Sequence, residues 1–280
     1  MSHEMTATQQ FPKLDVQSMG PTRDALHAYA RVLGDWLKSC RPKRKHWWHA
    51  SLRPSLTGLT TGVVDAGIDF ELALDLKESL LVGRTAEGAQ MIEAVDGQPA
   101  AELAARISDF LTANGVDSAR VPPGDSYGTN VFSGYSTENA SCMGQVVGAV
   151  NAAMSRFRSA IGEETSPIQL WPHHFDLSML WLPGEKIEGQ DPENEEYSDK
   201  QMNFGFTFGD DGIPEPYFYV TAYPLPADFS NLQLPAGTEW KTDGFSGAVL
   251  LYKTLIESSN PRGYLLGLWT KLLAAGRSRL

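Results

Sequence analysis

The chain has 280 residues, room for one large domain or two ordinary ones, and its 42% hydrophobic content supports a conventional buried core. Thirty-four acidic against 23 basic residues leave a formal charge of -11, which argues against general binding to nucleic-acid phosphates or an anionic membrane. Cys40 and Cys142 sit inside helical patterns and suit a core, so neither a disulfide nor a metal role follows. No basic-then-apolar leader is visible at Met1 to Thr6 and no later run reaches membrane-span length, so cytoplasmic residence is expected.

In chain order, Leu26, Tyr29, Ala30, Leu33, Leu37 and Cys40 recur at helical spacing and predict a helix over 22–40, with Thr22 placed to cap it. His46-Trp47-Trp48-His49 follows. Phe70, Leu72, Leu74 and Leu76 then alternate with polar residues and predict a half-buried strand, with a turn at Lys77-Glu78 and strands at 80–84 and 91–95. A helix opened by Pro99 and stopped by Gly115 closes this half.

After a Gly/Pro/Ser-rich join over 122–135, Met143, Val147, Val150, Met154, Phe157 and Ile161 predict a second long helix over 137–161, with Gly162 as its left-handed stop. Trp171-Pro172-His173-His174 leads into strand-like sequence. Met202, Phe204, Phe206 and Phe208 alternate with Asn203, Gly205 and Thr207, and strands at 217–223 and 248–252 precede a helix bounded by Pro261 and Gly276. The expected architecture is therefore α+β: a helix, antiparallel-strand, helix unit used twice with a pseudo-twofold relation, helices packed on antiparallel sheets. The first repeat covers 1–121 and the second 122–280, integrated into one domain.

Read as a strand, the segment Trp171 to Met179 points His174, Asp176 and Ser178 one way and His173, Phe175 and Leu177 the other. An imidazole beside a carboxylate is general acid-base chemistry in outline, with Asp176 orienting His174. Under duplication His49 corresponds to His174, so both rings would approach one groove between the repeats. Structural, hydrogen-bonded histidines give the same pattern. The set His174, Asp176 and His49 also has the composition of a two-His-one-carboxylate metal site. Tyr217, Tyr219, Thr221 and Tyr223 line one strand face, where phenols hold a ligand or pack against neighbouring strands. His46, Trp48 and Trp171 complete the expected substrate-binding set. Glu185 to Asp199, with seven acids and one Lys, reads as a loop, either a lid or a solvated insertion, and Arg41-Pro42-Lys43-Arg44-Lys45 as a basic loop.

His46-Trp47-Trp48-His49, Ser166 through Leu177, Glu215 through Pro224 and Gly244 through Leu250 together resemble the bacterial domain of unknown function family 5996, over roughly residues 11 to 275. The resemblance implies relatives and no reaction. The residues themselves point to an enzyme acting on a small organic molecule by proton transfer, of isomerase, cyclase, lyase or hydrolase type, without a cofactor. The alternatives are a non-enzymatic small-molecule-binding protein, a mononuclear metal enzyme, and a structural partner protein in which these side chains are core. Neither nucleic acid nor membrane is an expected partner.

Overall fold

A computed structural model describes residues 11–280. The Met1 to Thr6 start lies outside the described residues. The chain divides into two compact units, a first one of Leu14–Gly148 with Gln169–Phe175 and a second one of Ala149–Ile168 with Asp176–Leu280 and residues 11–13.

The first unit opens with α1 (Gly20–Cys40), whose apolar stripe of Leu26, Tyr29, Leu33, Trp36 and Leu37 is buried. Thr22 does not cap it. The helix starts two residues earlier, and the buried Thr22 hydroxyl accepts the Ser136 N–H at 2.9 Å, a partner that lies 114 residues downstream. Strands β1 (Arg53–Pro54), β2 (Gly58–Thr60), β3 (Val64–Asp65), β4 (Asp69–Asp75), β5 (Leu80–Thr85) and β6 (Gln90–Ala94) form an antiparallel sheet in the order β1-β2-β4-β5-β6, with β3 on β4. The alternation in β4 puts Phe70, Leu72 and Leu74 in the core, where Phe70 meets Trp36 edge-on at 6.1 Å. A side chain of that size contributes about 1.5–3 kcal/mol by leaving water. Helix α2 (Ala100–Ala113) follows, with Gly115 left-handed at φ +100 just past its end.

Helix α3 (Thr137–Arg158) carries the chain from the first unit into the second. It ends three residues before the expected limit, and Gly162 is not in the left-handed region, so that glycine is no stop signal. Strands β7 (Glu164–Thr165), β8 (Gln169–Trp171) and β9 (Asp176–Leu182) come next. Then α4 (Glu195–Ser198) forms one turn inside the acidic stretch, which is pinned by a bridge between Lys186 and the buried Asp199 and so is more ordered than a plain loop. Strands β10 (Gln201–Thr207), β11 (Tyr217–Tyr223), β12 (Thr238–Lys241) and β13 (Gly247–Leu251) lead to α5 (Tyr252–Ile256) and α6 (Pro261–Arg277).

The second unit's sheet runs β12-β13-β11-β10-β9-β7. One face carries Phe204, Phe206, Phe218 and Val220, all buried with Phe157 and Trp269; the Phe157 and Phe204 rings lie 4.9 Å apart. Gly276 lies inside α6 rather than past its end. A Cβ there would fall 2.1 Å from Met202 Sδ, so the glycine serves close helix–strand approach. The α+β class holds, and each sheet contains a three-strand antiparallel meander, β4-β5-β6 and β9-β10-β11; the sheets differ in strand order, and an internal duplication does not follow from them.

Candidate functional site

Two side-chain constellations stand out, one in each unit. In the first unit both Trp/His segments come together, because Leu52 and Leu170 exchange backbone hydrogen bonds of 3.0 Å each way. His46, Trp48, His49, Trp171, His173 and His174 all belong to this unit, as does His27. The segment Lys45–Ala50 is a short 3-10 turn in which His46 (φ 48) and Trp47 (φ 60) are both left-handed. Such a conformation costs an L-residue roughly 1–2 kcal/mol, and ring packing compensates here. His46 stacks on Trp48 and Trp47 on His49, while Lys38 and Lys43 each lie 5.8 Å from the Trp47 ring centre.

His49 is buried, and its Nδ1 accepts the Arg44 N–H at 3.2 Å, so the neutral ring carries its proton on Nε2. Burial lowers its pKa, and the positive charges of Lys38, Lys43 and Arg41 lower it further.

The strand expected through Trp171 to Leu177 is broken. Residues 172–175 form a turn closed by the Phe175 N–H on the Trp171 carbonyl at 2.7 Å, with Phe175 left-handed at φ 57. A strand alternation cannot pass through that residue, so His174 and Asp176 do not share a strand face as the sequence suggested. Burial of the Phe175 ring, stacked at 5.5 Å on His27, offsets its backbone strain. His27 donates from Nε2 to the His173 carbonyl at 3.2 Å, since a carbonyl only accepts. His173 and His174 are exposed, with ring centres 4.4 Å apart. The His173 ring is pushed down to about 4, first by the partial loss of hydration and then by the neighbouring His174 and His27 rings.

Beneath the first Trp/His segment lies a buried polar knot that the sequence reading left aside. Arg53 Nη1 donates to Ser51 Oγ at 2.9 Å and to Gln169 Oε1 at 3.0 Å, and Ser51 Oγ lies 2.8 Å from the same Gln169 oxygen. Ser51 and Gln169 are fully buried.

In the second unit, β9, β10 and β11 pair so that Ser178, Gly205 and Tyr219 stand in one row and Asp176, Thr207 and Tyr217 in the next, all on the face opposite the phenylalanine core. The Tyr219 hydroxyl donates to Asp176 Oδ2. Its oxygen in turn accepts from Ser178 and, at 3.5 Å, from Asn203 Nδ2. Gly205 makes room for this: a Cβ there would fall 2.1 Å from Tyr219 Cζ. Burial pushes the Tyr219 phenol well above its ordinary range, and the adjacent Asp176 carboxylate pushes it further.

Tyr217 forms a second phenol–carboxylate pair, donating to Asp210 Oδ2 at 2.5 Å. Burial acts against the Asp210 charge, but the Tyr217 hydroxyl and the Ile213 and Gly212 N–H groups outweigh it and lower that carboxyl. Phe245 stacks on Tyr217 at 6.5 Å and meets Tyr219 edge-on at 6.4 Å. Tyr223 lies at the far end of the strand against Tyr197, away from this group in the register. Sequence reasoning named Asp176, Tyr217 and Tyr219, put Ser178 on the Asp176 face, and missed the roles of Asn203, Gly205, Asp210 and Phe245. The one available signal was Gly205, a glycine interrupting an aromatic strand.

Among the described residues no three His, Cys, Asp or Glu side chains gather as a metal would require. Nor is any helix of the described residues long and apolar enough to cross a membrane.

A family model described as a family of unknown function, DUF5996, matches residues 11–278. The chain belongs to this family. Neither the curated proteins nor the solved structures contain a match. The DUF5996 match spans both units, so both constellations lie within the family's own extent.

Proposed function

We propose that this protein is an enzyme acting on a small organic molecule, with the Asp176 carboxylate and Tyr219 phenol as its proton-transfer couple and Tyr217 and Phe245 as the aromatic wall that holds the substrate. The observation that carries the reading is the Tyr219 hydroxyl held between a carboxylate acceptor and two side-chain donors, Ser178 and Asn203, over a glycine that leaves room for its ring. Asp176 is the base of the couple. Tyr219 stays protonated, and its polarised oxygen has donors placed to stabilise negative charge as it develops. The couple is built on Tyr219 rather than on His174, because the Tyr219 hydroxyl donates to Asp176. The chemistry moves a proton without electron transfer, as in isomerisation, cyclisation, elimination or hydrolysis.

The test is a small-molecule screen by thermal shift, with hits followed for turnover by NMR. Tyr219→Phe and Asp176→Asn are expected to retain hit binding within about threefold and to lose roughly 10²–10⁴-fold in turnover. Turnover surviving in both variants would refute the proton-transfer role. Saturable binding with no turnover in the natural protein would favour the non-enzymatic reading.

A further inference from the structure

The first unit contains a charge and a set of donors that the Asp176–Tyr219 proposal does not use. Arg53 is half-buried, its pKa is pushed down to about 10 by burial with Arg41 adding to the effect, and no carboxylate pairs with it among the described residues. Arg41 is a second cation here, and its guanidinium donates to the Thr61 and Val63 carbonyls at 2.8 and 2.9 Å.

Gln169 sharpens the picture. A guanidinium has no acceptor atom, so the Gln169 group facing Arg53 Nη1 must be the amide oxygen, which leaves the amide nitrogen beside it as the spare donor. That nitrogen is buried in a fully buried residue, and no acceptor reaches it among the described residues. Trp48 Nε1 is in the same condition, three residues from the Ser51 whose hydroxyl lies 3.0 Å from the Trp48 carbonyl. Lys38, Lys43 and Arg41 make the surroundings of the neighbouring His49 positive. The partner that the Gln169 amide nitrogen lacks is therefore an acceptor, and the charge that Arg53 lacks is negative. Buried donors and buried cations left in that state are costly, which selects for an occupant that supplies both needs at once.

We propose that Arg53, Gln169 and Ser51 form a binding site for the carboxylate of a small organic acid, with one oxygen on the Arg53 N–H groups that Ser51 and Gln169 do not use and the other on the Gln169 amide nitrogen. The Arg fork and a neighbouring amide N–H match a planar, two-oxygen group, whereas a tetrahedral phosphate would call for donors on several sides. The basic run Arg41 to Lys45 then serves as the positive approach to this site.

The experiment uses the full chain and three probes at equal ionic strength: propionate, benzoate and inorganic phosphate, each read by thermal shift and by calorimetric titration against chloride. In the natural protein one of the carboxylates is expected to bind saturably and to raise the melting temperature, with phosphate no better than chloride. Arg53→Gln is expected to weaken that binding at least tenfold, with the folded circular-dichroism spectrum retained. Gln169→Glu keeps the shape of the side chain and supplies the missing carboxylate internally. It is expected to melt higher than the natural protein in carboxylate-free buffer and to lose the ligand response altogether, a result that stands even if Arg53→Gln fails to fold. No carboxylate response in the natural protein, phosphate binding tighter than both acids, a response surviving in Gln169→Glu, or a Gln169→Glu protein that melts no higher would each overturn the assignment.

Discussion

Replacing Gly205 by alanine isolates the contact on which the Asp176–Tyr219 couple depends. The added Cβ would stand 2.1 Å from Tyr219 Cζ, far inside van der Waals contact, and neighbouring strands on both sides of β10 keep the backbone from retreating. Overpacking of this kind costs about 1–3 kcal/mol. If the ring swings aside, the hydrogen bond from Tyr219 to Asp176 is lost as well, about 1.5–3 kcal/mol for a bond to a charged group. The reduced freedom of the unfolded chain returns about 0.4–1 kcal/mol, so the net destabilisation expected is about 3 kcal/mol. Urea unfolding of the natural protein, Gly205→Ala, Tyr219→Ala and the double variant completes a thermodynamic cycle. With the ring removed, the alanine methyl meets no obstacle, and its cost should fall to about zero or change sign. A coupling below about 0.5 kcal/mol would refute the claim that the glycine exists to seat the phenol.

Gly34→Ala tests the placement of the turn after β8, because its Cβ would lie 2.6 Å from Pro172 Cγ. Alanine in a helix interior normally gains about 1 kcal/mol over glycine, so a net loss of about 1–2 kcal/mol in thermal unfolding, relieved by Pro172→Ala, is expected. Alkaline titration followed by phenolate absorbance should show Tyr217 and Tyr219 ionising well after ordinary phenols, since burial and their carboxylate partners raise both. A folded pKa above the unfolded one gives stability that is complete below about pH 10 and lost as pH rises toward the folded value, so Asp176→Asn should postpone alkaline unfolding. Acid behaves in the opposite sense in the first unit. His27, His49 and His173 are all lowered by loss of hydration, so their contribution is complete above about pH 6.5 and declines as pH falls, for His173 through about 4. A His27→Gln variant should flatten the fall in melting temperature across that window.

The strands were legible because their signal is local. Phe70 to Leu76 and Met202 to Phe208 alternate with period two, and the structure places β4 and β10 within a residue of those limits. The Tyr217 to Tyr223 face was legible for the same reason. What escaped the sequence was decided by distant partners. Nothing in Pro172-His173-His174-Phe175 announces a left-handed phenylalanine; the conformation is held by a ring stacked on His27, far away in the chain. Thr22 has the chemistry of a cap and instead serves Ser136. Gly276 has the look of a stop and instead admits a methionine. The strand alternation expected from His174 to Asp176 is interrupted at the turn, and the contact of Asp176 with Tyr219 needed strand register and a glycine on the strand between them.

The order in which the chain contributes to its two bodies governs how either could ever be made alone. Residues 11–13 belong with the later body, and Gln169–Phe175 belong with the earlier one. A ribosome that has delivered everything through Gly148 has therefore not yet supplied the amide that Arg53 and Ser51 close upon, and the buried guanidinium waits some twenty codons for it. No single cut yields a complete half, and gene fragments divided at the midpoint would each miss a piece held by the other.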